Sequence, residues 1–180
     1  MEARNAMDKA PGWARRVMIG RNPRVTLLRI VVLVVVCVVV FRFVLLPVRV
    51  QGVSMFPTYR DGSVNFINRL AYLHHEPKRG DVVGLRLGGA NDPFRTPGIM
   101  FMKRIVGLPG ETISFSHGRL LINGIALSEP YLHGPCNWNA APVTDSSTQY
   151  YLVGDNRTMP QEWHEHGRAE RQQIVGEVLF

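Results

Sequence analysis

Ser54 stands in "GVSMFPT", Gly52 to Thr58, a short strand-like stretch that runs into a proline turn. A serine hydroxyl is a weak nucleophile unless a neighbouring base takes its proton. The chain has six histidines that could do so: His74, His75, His117, His133, His164 and His166. A Ser-His-Asp set is recognised by geometry rather than by order along the chain. None of the six, however, has surroundings that mark it as catalytic, and solvated surface histidines account for them. His164-x-His166 beside Glu162 and Glu165 has the look of a metal site, because side chains two apart share one side of a strand. An HxH pair alone is a weak signal, and no metal or cofactor is implied. The remaining base is Lys103, in "IMFMKRIVGLPGET". Burial among Ile, Met, Phe and Val disfavours the ammonium form, so such a lysine could be neutral near physiological pH and accept a proton. Arg104 would then point the other way and keep its charge in water. Spacing alone favours a plainer alternative, a lysine whose stem lies along a strand edge with its amine solvated. Cys136, in "HGPCNWN", reads as a loop cysteine without a catalytic role, and no disulfide with Cys37 is expected.

The elements that must position these groups fall into three regions. The 180-residue chain carries a formal charge of +7. The excess lies near the N-terminus: Arg4, Lys9, Arg15, Arg16, Arg21, Arg24 and Arg29 face only Glu2 and Asp8 there, with Arg42 and Arg49 following. From Val50 onward acids and bases balance, so there is no basic face for a phosphate backbone and a nucleic-acid partner is excluded. Residues 1–24 read as a basic polar tail. Residues 25–46, around "IVVLVVVCVVVF", have the length and apolarity of a membrane span, with Arg29 and Arg42 reaching towards its two interfaces. The bulky "FRFVLLPVRVQG" that follows offers no small-x-small cleavage site, so an uncleaved signal anchor is expected. The charge bias predicts a cytoplasmic N-terminus and an extracytoplasmic body by the positive-inside rule.

Residues 47–180 change to short alternating runs: "VRVQGV", "SVNFINRL", "GDVVGLRL", "FMKRIVGL", "TISFSHGRLLINGIAL", "YYLVGD" and "IVGEVLF". "HGR" at 117–119 and "NG" at 123–124 are hairpin signals. Gly88–Gly98 and His133–Thr148 read as long loops. The body is expected to be mainly β.

Four segments stand in order behind the span: "GVSMFPT", "KRGDVV" at Lys78–Val83, "FMKRIVGLPGE" at Phe101–Glu111, and "YLVGDNR" at Tyr151–Arg157. Together they resemble the type I signal peptidase family, membrane-anchored serine proteases with a Ser–Lys dyad, over about residues 45–180. The resemblance implies a β-rich catalytic domain with Ser54 as nucleophile and Lys103 as general base. Met55 and Pro57 match its serine segment. Gly80, Asp81, Arg104, Gly154, Asp155, Asn156 and Arg157 look like supporting elements around the site. It further implies endoproteolysis of exported preproteins at the outer face of the plasma (inner) membrane, after small side chains at the −1 and −3 positions. The implied partners are signal peptides and the lipid bilayer, with room for contact with the secretion machinery. Specialised processing of conjugation, pilus or other dedicated substrates, or a catalytically inactive membrane adaptor, are the alternatives.

Two departures stand out. Gly52 occupies a place where many members have a serine that serves the oxyanion hole, which leaves the Ser54 backbone N–H as its expected donor. After Arg157 the chain reads "TMPQEWHEHGR" instead of the family's Ser-x-Asp-Ser-Arg pattern. Pro160 replaces the serine that usually orients the lysine, and Glu162 and His164 replace an Asp–Arg pair, so a Glu162–His164 contact is expected in its stead.

Overall fold

A computed structural model describes residues 22–86, 100–144, 146–163 and 167–179. The chain divides into two units, residues 1–43 and 44–180. In the first, helix α1 (Pro23–Val39) begins with proline, whose missing N–H would have no helical partner there anyway. A π-helical turn, Val40–Val44, extends it. The 22 residues Pro23–Val44 reach about 33 Å, enough for a hydrocarbon layer of about 30 Å. Valine and leucine occur all round the helix and none is buried, the pattern of a segment solvated by lipid.

The second unit holds eleven described strands in two antiparallel sheets. They are β1 (Leu45–Arg49), β2 (Val64–Asn68), β3 (Val82–Arg86), β4 (Met100–Gly107), β5 (Thr112–Ser116), β6 (Arg119–Ile122), β7 (Ile125–Ala126), β8 (Ala140–Thr144), β9 (Gln149–Val153), β10 (Arg168–Glu170) and β11 (Ile174–Leu179). Leu45 and Leu46, read from the sequence as the end of the span, thus belong to the first strand. The larger sheet runs β1-β2-β11-β3-β4-β9-β10 and the smaller β7-β6-β5-β8. Pro47 is tolerated because β1 is an outer strand with a single neighbour. Both predicted hairpins form. His117–Gly118 and Asn123–Gly124 have all four residues at positive φ, as type I′ turns require.

Two strands escaped the sequence. The stretch His133–Thr148, read as a loop, contains β8, whose "AAPVT" shows no alternation and carries a proline. β10 is only three residues long and carries two charges. The other predicted loop, Gly88–Gly98, lies outside the described residues.

Alternation along β3 and β4 feeds three buried clusters. Val83, Leu85 and Ile105 join Tyr72, Tyr150, Leu152 and Ile174 in one. Val106 and Val153 meet Ile113, Phe115, Leu120, Ile122 and Trp138 in a second, which seats the smaller sheet on the larger. In the third, Val82, Ile67 and Val178 pack with Val50, Met55 and Tyr59, and this cluster anchors the serine turn.

Candidate active site

The turn that carries Ser54 is built from its own backbone. The Phe56 N–H donates to the Val53 carbonyl and the Tyr59 N–H to the Met55 carbonyl, at 3.1 and 2.9 Å. Met55 and Tyr59 plunge into the third cluster at 1% and 4% exposure and hold the turn down. Gly52 enters it at φ +96°, a conformation glycine adopts without strain, and its N–H donates to Asp61 Oδ1. Pro57 follows a cis peptide bond and is half-buried. Ser54 itself is half-buried and lines a groove of about 540 Å³ with Val50, Gly84, Met100, Phe101 and Met102.

Lys103 sits on β4 opposite Val83 of β3, and only 5% of it is exposed. Burial pushes its amine below the usual lysine range, and the nearby Asp155 carboxylate pulls part of the way back. A neutral, proton-accepting amine is therefore favoured at lower pH than for a solvated lysine. Among the described residues no hydrogen bond joins the Ser54 hydroxyl to the Lys103 amine.

The segment Gly154–Arg157 ties the serine turn to β4. The Asn156 N–H donates to the Ser54 carbonyl at 2.9 Å, and its side-chain amide donates to the Val53 carbonyl at 3.0 Å. Asp155, fully buried, accepts two hydrogen bonds from the Arg104 guanidinium at 2.8 and 2.6 Å and one from the Thr58 hydroxyl at 2.6 Å. The expectation that Arg104 keeps its charge in water is therefore corrected. Its side chain is 12% exposed, because Asp155 offers a bidentate partner inside. A third Arg104 N–H reaches the Gly80 carbonyl at 2.7 Å. Gly80, at φ +99°, and Asp81 also bond the backbone of Ile105 on both sides, so the Gly-Asp corner clamps β4 two residues from Lys103. The Asp81 carboxylate accepts hydrogen bonds from the Tyr72 hydroxyl and the Lys78 N–H and closes that corner.

Several partners were not visible in the sequence. Arg157, 1% exposed, pairs at 2.6 Å with Glu129 and gives its Nε–H to the Gly154 carbonyl. Tyr131 donates its hydroxyl to Glu129 at 2.7 Å and lies under the Arg104 guanidinium, 4.0 Å from ring centre to Cζ. Glu129 is a single acid in a turn, with no local pattern to mark it. Thr58 closes the quoted serine segment, so its place was visible though its role was not. Thr158 turns its hydroxyl to Asn156 Oδ1 at 2.6 Å. Glu162 lies exposed on a 3-10 turn, Gln161–Trp163; its expected partner His164, like Glu165 and His166, is outside the described residues. The other four histidines are exposed.

The family described as signal peptidase, peptidase S26, matches residues 24–180. The signal peptidase I of Leptolyngbya laminosa is 32% identical over 128 residues, covering 70% of this chain and 63% of that protein. Signal peptidase I T of Bacillus subtilis (strain 168) is 33% identical over 138 residues, 71% of this chain and 68% of that one. Signal peptidase I V of the same strain is 30% identical over 163 residues, 82% of this chain and 92% of that one. The chain therefore spans less than two thirds of the cyanobacterial relative and nearly all of the smaller Bacillus one.

Proposed function

The chain belongs to the signal peptidase family, peptidase S26, and from that premise we propose that it is a membrane-anchored serine endopeptidase that removes signal peptides from exported preproteins. The carrying observation is a lysine at 5% exposure on a strand that one continuous segment, Gly154–Arg157, ties to the turn of Ser54. In this reading Lys103 takes the proton from Ser54 as Ser54 Oγ attacks the scissile carbonyl, and returns it to the departing amine. The Ser54 backbone N–H receives the developing oxyanion. Lys103 then takes a proton from a water that attacks the acyl carbonyl and gives it to Ser54 Oγ as the acyl group leaves. The substrate lies extended in the groove beside Ser54, and small side chains next to the cut follow from the family.

The basic stretch before α1 supports, by the positive-inside rule, a cytoplasmic N-terminus with residues 47–180 as a peptidase domain on the outer side. Anchoring holds the nucleophile where substrates arrive with their own apolar segments still in lipid, which raises its effective concentration.

The test is cleavage of a model preprotein in detergent by wild type, Ser54→Ala and Lys103→Ala, with the cut site mapped. Cleavage after a small residue by wild type alone is the expected result. Cleavage that persists in Lys103→Ala moves the base elsewhere, and a wild type that cuts no preprotein overturns the reading.

A further inference from the structure

We propose that Glu129 is a positioning residue for the Lys103 site, acting through Tyr131 and Arg104 on Asp155. The proposal rests on the reading of Lys103 as the base. Glu129, its side chain 5% exposed, stands in the turn after β7, outside the four sequence segments that carried the family resemblance. Its carboxylate faces two groups, the Arg157 guanidinium and the Tyr131 hydroxyl. Arg157 is boxed in further by the rings of Phe115 and Trp138, 5.7 and 5.5 Å from its Cζ, so the pair is rooted in the second cluster. Tyr131, fixed by its hydroxyl, presents its ring to Arg104, and Arg104 grips Asp155 with two N–H groups. Asp155 is the carboxylate whose charge bears on Lys103.

A buried ion pair contributes little net stability over apolar side chains of the same shape. What this one contributes is a fixed place for the Tyr131 ring, and so for Arg104. In a chain whose last segment lacks the usual lysine-orienting serine, Asp155, gripped by Arg104, is the charge that bears on the amine. The charged and titratable groups are few. Asp155 is the charge that acts on Lys103, while Val83, opposite it on β3, brings none. Asp155, Tyr131 and Tyr59 face Arg104.

The sign of the effect separates positioning from simple charge. Held by Arg104, the Asp155 carboxylate is largely neutralised. If loss of Glu129 frees Tyr131 and Arg104 withdraws, Asp155 acts on Lys103 undiluted and the ammonium is favoured, so the titration midpoint rises. Deleting a distant negative charge with nothing else moved would lower it.

The chain has three lysines, Lys9, Lys78 and Lys103. Full-length protein labelled with 13C at lysine Cε, in detergent, gives three resonances that Lys9→Arg and Lys78→Arg assign by elimination. Wild type is expected to show Lys103 titrating below the other two. Glu129→Gln and Tyr131→Leu, the second leaving the buried ion pair intact, are each expected to raise its midpoint by about half a pH unit or more. In preprotein cleavage the ascending limb of kcat against pH moves up by the same amount, with KM unchanged. An unmoved or lowered midpoint in the folded variants overturns the proposal while leaving the base in place. A wild-type Lys103 that titrates with the other lysines overturns the base assignment, and the proposal with it.

Discussion

Replacing Asp155 by Asn keeps the shape of the side chain and deletes its charge. Asp155 is fully buried and Arg104 is 12% exposed, so the substitution leaves a mostly buried guanidinium without its counter-ion. Breaking a buried pair in this way costs about 3–5 kcal/mol. Three features put this case near 3. Arg104 keeps its bond to the Gly80 carbonyl, it keeps the Tyr131 ring, and the Thr58 hydroxyl still finds an oxygen on the new amide. For a domain of this size each kcal/mol moves Tm by about 2–4 °C, so the variant should melt roughly 6–12 °C below wild type. The second half of the prediction has its own sign. Asp155 raises the Lys103 value against the larger effect of burial, so removing its charge lowers that value further. The ascending limb of kcat against pH should move towards acid, opposite to the shift expected for Glu129→Gln. Thermal unfolding followed by near-UV circular dichroism in detergent, with cleavage rates across pH, measures both. A Tm within roughly 2 °C of wild type, or a limb that moves towards alkali, would refute the reasoning.

Two further outcomes follow from the fold. Because burial lowers the Lys103 value in the fold, the unfolded chain holds an extra proton between that value and the ordinary lysine range. Stability therefore rises with pH across that window, by about 1.4 kcal/mol per unit at most. Lys103→Met should lose this slope, melt above wild type at neutral pH and cleave nothing; equal slopes, compared below the tyrosine range, would sink the idea. Gly176, at the irregular step of β11, has no room for a side chain: a Cβ there would lie 2.1 Å from the Asn68 carbonyl oxygen. Gly176→Ala should cost about 3 kcal/mol in urea unfolding. Gly124→Ala, at a positive φ but in open space, should cost only about 1, and equal losses would count against the clash.

Local signals were enough where a residue's neighbours along the chain decide its state. The type I′ turns needed only "HG" and "NG", and most strands announced themselves by alternation. The Ile, Met, Phe and Val around Lys103 allowed burial but did not decide it against a solvated amine at a strand edge; only the four segments taken together favoured the buried reading. Arg104 was misjudged because alternation says which side a residue faces and nothing about what waits there. The carboxylate that takes it in lies 51 positions away. Glu129 and Tyr131 were invisible for the same reason. Their importance comes from Arg157 and Arg104, partners brought close only by tertiary packing. β8 and β10 failed differently, since their pairing is imposed by β5 and β9 and their own residues ask for no strand.

The order of strands in the larger sheet also sets a schedule. β11, the last described strand, lies between β2 and β3 and bonds to both. On one side of it are β1, β2 and the serine turn; on the other are β3, β4 and the lysine. Within the sheet, β11 is the strand that joins the half carrying the serine turn to the half carrying Lys103. Pairing over such sequence distances is slow. The larger sheet is therefore completed only when its most C-terminal described strand pairs on both sides, and a chain lacking β11 carries Ser54 and Lys103 in two halves that the sheet does not join.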